Sequence, residues 1–120
     1  MQYIALIYSG PDAAPKPETP EFGAMMQGYM ACTETFKTDG VMLAGDALHG
    51  TDKATSLRIR GGKIETMDGP FAETKEQLGG YYLFECENLD AALKYAAMIP
   101  TAAFGTIEVR PVMSPEDYGA

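Results

Sequence analysis

The segment Asp68-Gly-Pro-Phe-Ala-Glu-Thr-Lys-Glu-Gln-Leu-Gly-Gly80 decides how the rest of the chain is read. It is the longest run without a strand or helix period, and it holds three glycines, one proline and four charged side chains. Long irregular segments inside compact domains are usually functional or disordered. Phe71 and Leu78 offer apolar anchors and the glycines allow tight turns, so an ordered hub is the expectation. The regular elements lie on either side of it.

Upstream, Gln2–Tyr8 alternates as a strand that is apolar on both faces. Ser9 to Pro20 is a Gly/Pro-rich loop. Thr19-Pro20 supplies an N-cap and a first-turn proline. Phe22, Met25, Met26, Tyr29, Thr33 and Phe36 then recur at helical spacing up to a stop at Gly40. The methionines read as core filler, with a Met-lined ligand surface as the alternative. Val41–Leu48 is a second strand. Gly61-Gly62 between two alternating runs gives a hairpin over about 54–67 with Ile59 opposite Ile64 and Arg58 opposite Glu65. Downstream, Gly80–Cys86 is a strand apolar on both faces. Asn88 caps a helix over 89–99 with a stripe of Leu89, Ala92, Leu93 and Ala96. Gly105–Arg110 is the last strand, and about 111–120 forms a surface tail.

Without the hairpin the order is β-α-β, β-α-β, so an α+β, ferredoxin-like (split β-α-β) subunit is predicted as a single domain over residues 1–120. Two helices cover one face of a four-stranded antiparallel sheet. The first and fifth strands are apolar on both faces, so the second face needs a cover. The same face of another copy supplies it, giving a homodimer that buries well above ~1,600 Å².

The net charge of −8 excludes direct nucleic-acid binding, which needs clustered Lys and Arg. No run approaches the ~20 apolar residues of a membrane span. The N-terminus lacks a basic leader, and Cys32 and Cys86 lie far apart without Cys-x-x-Cys spacing. A cytoplasmic protein with two reduced thiols is expected. One histidine and dispersed carboxylates give no metal-ligand spacing, and no phosphate-binding glycine loop is present, so no cofactor is expected.

Asp68-Gly-Pro-Phe71, with Ala-Glu-Thr-Lys-Glu-Gln-Leu-Gly-Gly-Tyr-Tyr82 after it, resembles the signature of the DGPF proteins within the YCII-related (YciI-like) family. The resemblance extends to Tyr3–Tyr8, Gly40–Gly45, Asn88–Asp90 and Ile107–Val112. It implies a dimeric α+β barrel of ferredoxin-like subunits. The wider fold includes muconolactone isomerases, monooxygenases and dehalogenating enzymes. Some DGPF members are associated with extracytoplasmic-function sigma factors.

Each polar residue has a structural and a chemical reading. Asp68 either closes a turn through backbone bonds or acts as a general base. His49 is the lone imidazole, the side-chain type that usually titrates nearest neutral pH. It is either an exposed loop residue or an acid/base partner of Asp46. Phe71 anchors the hub or walls a pocket. Glu73 and Lys75 are solvated charges or line a barrel mouth. Arg110 forms a surface ion pair or binds a substrate carboxylate. Two function classes stay open. One is a cofactor-free enzyme performing acid/base chemistry on a small carboxylate or lactone. The other is a non-catalytic regulatory or ligand-sensing module linked to sigma-factor-dependent transcription.

Overall fold

The computed structural model describes residues 1–119. Six strands and two helices follow in the order β1 (Gln2–Ser9), α1 (Pro20–Thr38), β2 (Met42–Ala47), β3 (Thr55–Arg60), β4 (Lys63–Asp68), β5 (Gln77–Glu85), α2 (Leu89–Ala96) and β6 (Thr106–Pro111). Short 3₁₀ turns lie at Thr51–Lys53, Pro100–Ala103 and Pro115–Tyr118. The main sheet is ordered β2-β5-β1-β6, with every neighbouring pair antiparallel. The sequence order and this strand order together are the split β-α-β arrangement. β3 and β4 form a separate two-stranded ribbon.

Local chemistry explains the element ends. The Thr19 side chain accepts from Phe22 N–H at 3.1 Å, with Pro20 opening α1. Asn88 Oδ1 accepts from Ala91 N–H at 2.9 Å and starts α2. At position 105 a Cβ would lie 2.2 Å from the carbonyl oxygen of Tyr8, so only glycine allows the chain to enter β6 this close to β1.

The core lies between the helices and one face of the sheet. Tyr3, Ala5 and Ile7 of β1 and Tyr82 and Phe84 of β5 point into it, beneath Cys32 and Phe36 of α1 and Ala92 and Ala96 of α2. Phe36 packs edge-on against Tyr82, Phe84 and Tyr95, with centroids 4.9–5.9 Å apart. The stripe expected on α2 holds for Ala92 and Ala96 and fails for the two leucines. Leu89 and Leu93 stay half-exposed, while Ala91 and Tyr95 pack on the core beside Ala92 and Ala96. Small residues let this short helix lie close to the sheet. α2 also stops at Ala96 rather than 99, and Ile99, which follows it, is buried to 1% exposure. β5 begins at Gln77, three residues earlier than expected, because Tyr8 and Ser9 extend β1 and pair with Leu78 and Gln77 beyond a register shift.

The hairpin register is as expected: Arg58 faces Glu65 and Ile59 faces Ile64. Gly61 and Gly62 have φ of +57° and +75°, the two left-handed positions of a primed turn. The arm stands away from the body. The radius of gyration is 16.6 Å, against about 14 Å for a compact chain of this length.

Candidate functional site

The ends of β2 and β5 separate two clefts on opposite faces of the sheet. The first, about 610 Å³, lies at the margin of the helix-free face. Tyr8 of β1 and Gln77 and Leu78 of β5 form its floor. Leu48, His49, Thr51 and Lys53, leaving β2, form one wall. Pro70, Phe71, Ala72 and Thr74 of the hub form the other. The two walls are tied at the base of the hairpin. Gly69 N–H donates to Ala54 O at 2.7 Å, and Ser56 Oγ donates to Gly69 O at 2.8 Å. Phe71 is 88% exposed, so its ring is presented to the cleft mouth rather than buried as an anchor.

This geometry brings His49 and Phe71 to one cleft and leaves the other sequence candidates outside its lining. Asp68 ends β4 opposite Thr55 with its side chain exposed. Glu73 and Lys75 are exposed on the hub. Glu76, their neighbour, accepts from Thr106 Oγ1 at 2.8 Å and pins the hub to β6. Arg110 pairs with Ile4 in the register of β1 and β6, roughly 13 Å along the strand from Tyr8. Lys53 is the cation that lines the cleft, and sequence reasoning missed it. Its signal is weak, one lysine in a short polar loop.

The anticipated Asp46–His49 pair does not form. Asp46 Oδ2 accepts from Tyr81 OH at 2.9 Å, and this bond raises the Tyr81 pKa because it stabilises the neutral phenol beside a carboxylate. Among the described residues His49 has no hydrogen-bonded side-chain partner.

The second cleft, about 400 Å³, lies between α1 and the sheet. Met25, Met26, Tyr29 and Thr33 face Met42, Gly45, Tyr82, Thr101 and Phe104 across it. Tyr29 OH and Thr101 Oγ1 are 2.5 Å apart, and Thr33 Oγ1 and Tyr82 OH are 2.7 Å apart. Burial pushes the Tyr82 phenol up to about 12 against the opposing bond from Thr33. Burial also raises Tyr29 and the Cys32 thiol. The Tyr29 and Tyr82 phenols are therefore neutral donors and acceptors at ordinary pH, and Asp46 adds a carboxyl group to the lining. The methionines at helical spacing were the sequence trace of this cleft.

Cys32 and Cys86 are both buried free thiols. Among the described residues no helix is long and apolar enough to cross a membrane. No group of three His, Cys, Asp or Glu side chains among them could hold a metal ion.

Two helices on one face of a four-stranded antiparallel sheet, with clefts flanking the strand ends, define a small α+β domain of the split β-α-β class. The chain belongs to the YCII-related domain family, which residues 1–115 match. An uncharacterised protein of Rhizobium meliloti (strain 1021) is 36% identical over 114 residues, covering 93% of this chain and 92% of its own. In fold, the chain is similar to the 5-chloro-2-hydroxyhydroquinone dehydrochlorinase of Burkholderia phenoliruptrix AC1100, solved with 2,5-dihydroxybenzoquinone. That likeness has a TM-score of 0.54 at 12% identity and covers 97% of both chains.

Proposed function

We propose that the protein is a homodimeric acid/base enzyme acting on a small carboxylate or lactone in the cleft of the helix-free face. The observation that carries this is the placing of His49, Lys53 and Phe71 around one cavity of about 610 Å³, a size suited to a small organic ligand. In this scheme His49 takes a proton from a carbon next to the substrate carbonyl. The Lys53 ammonium stabilises the oxyanion that develops, and His49 returns the proton to a neighbouring position. Phe71 and Tyr8 offer aromatic surface to a ring. The fold shared with a dehydrochlorinase of hydroxylated rings supports a substrate of that kind. Asp68, Glu73, Lys75 and Arg110 stay outside this reaction set because of their positions.

The dimer part of the proposal rests on the helix-free sheet face. Ile4 faces Leu83, Leu6 faces Tyr81 and Tyr8 faces Leu78 there, and both helices of the described residues pack on the opposite face. Packing this face on its copy would narrow the cleft mouth and exclude water from it.

Deuterium uptake from D₂O into small lactones and hydroxylated ring carboxylates tests the chemistry. Uptake catalysed by the native protein and reduced at least ~100-fold in His49→Ala is the expected result. A ligand that raises the melting temperature without uptake or product overturns it in favour of a non-catalytic binding module. The lack of a side-chain hydrogen bond to His49 among the described residues favours that second reading, since a general base is usually oriented by a third group.

A further inference from the structure

The hairpin of β3 and β4 does nothing for the core of its own chain. Of its twelve strand residues only Ser56 is even half-buried. Directly opposed residues share a face. Leu57, Ile59 and Ile64 therefore lie together on one side, and Arg58, Glu65, Arg60 and Lys63 lie on the other. The apolar three are 67%, 59% and 70% exposed. A two-stranded ribbon standing alone is marginal in water, and an exposed apolar face of this kind marks a contact surface.

Charge selects the occupant. The hairpin holds Arg58, Arg60 and Lys63 against Glu65 and Asp68, a net +1, so the chain's −8 leaves −9 on everything else. A cationic arm on an anionic body is repelled by its like on another arm and attracted to another body. The chain is flat, 48 × 46 × 19 Å, and six residues give the arm a reach of about 20 Å. The geometry points to a second copy of this chain as the partner. We propose that the hairpin is an assembly arm: its Leu57–Ile59–Ile64 face and basic tip dock on the acidic body of another copy.

Docking of the arm has a consequence for the cleft. Both roots of the arm are cleft walls: Lys53 and Ala54 lead into β3, and Pro70 and Phe71 follow β4. A partner that holds the arm thereby fixes the spacing of those walls, and the site is completed only in the assembly.

The test uses the full chain with a photo-activated cross-linking residue at Ile64, mixed with isotope-labelled copies so that cross-links between chains are distinguished by mass. The expected result is a covalent species of twice the 12.9 kDa chain mass, joined to an acidic segment of the other copy. Cross-links confined to the same chain, or none, overturn the proposal. Sedimentation equilibrium of the Ile59→Asp/Ile64→Asp double variant provides the second measurement, with association expected to weaken at least tenfold and the far-UV spectrum unchanged. An unchanged association constant also overturns it. A parallel Leu6→Asp variant separates this arm from the sheet-face dimer. Loss of association in Leu6→Asp alone sinks the arm and keeps the sheet contact, whereas loss in the arm variant alone does the reverse.

Discussion

The two faces of the main sheet are built from the same strands and end in different states. On the helix side Ala5 and Phe84 are fully buried, and Phe36 meets three aromatic rings there. On the other side Ile4, Leu6, Tyr81 and Leu83 are comparably apolar but only half-buried. Alternation dictates which side chains share a face. What covers the face depends on material elsewhere, in this chain or outside it. The first face therefore governs whether the chain folds, and the second is the one the proposed dimer would cover.

Truncation on the covered side should have the largest effect on stability. Phe36→Ala is expected to lower it by about 3–5 kcal/mol, measured by urea titration at fixed protein concentration. A loss below about 1 kcal/mol would mean the aromatic cluster is not the centre of the fold. On the other side, Leu6→Asp should leave the monomer's helix signal intact while weakening self-association by about 100-fold or more by sedimentation, because a charge would enter an apolar contact. Equal damage to folding would erase the contrast between the faces.

A smaller effect sharpens the helix side. Tyr82→Phe removes the hydroxyl paired with Thr33 and should cost about 0.5–1.5 kcal/mol at neutral pH. Tyr82 titrates at about 12 when folded. An unfolded phenol titrates near ~10, so unfolding releases this proton more readily above that pH. Its stabilising share is complete below pH ~10 and is lost as pH rises toward about 12. Tyr82→Phe should flatten that alkaline decline in a melting series. Arg58→Ala on the arm should change stability least, within about 0.2–1 kcal/mol, because its 3.1 Å contact with Glu65 is solvent-exposed.

Short-range chemistry was the legible part of the sequence. Thr19, Asn88 and Gly61-Gly62 each act within three or four residues, and the helix starts and the hairpin register followed from them. The α2 stripe was half legible: Ala92 and Ala96 are buried as expected, but hydrophobic periodicity wrongly added the large Leu89 and Leu93. Here alanines face the sheet to permit close packing, and Leu89 and Leu93 are left outside. At the site, His49 and Phe71 could be singled out because of scarcity and motif. Lys53 could not, because its place in the cleft comes from a fold that sets it across from the hub. Asp46 was misplaced for a similar reason: Tyr81, thirty-five residues away in sequence, claims its carboxylate.

The glycine pair at the tip of the arm has a practical use. A loop joined to its domain only through two strand roots tolerates spliced-in sequence. An epitope or fluorophore-binding peptide grafted between Gly61 and Gly62 would leave the aromatic interior undisturbed and obstruct the proposed docking of the tip, so it would serve as a handle for visualising the unassembled chain.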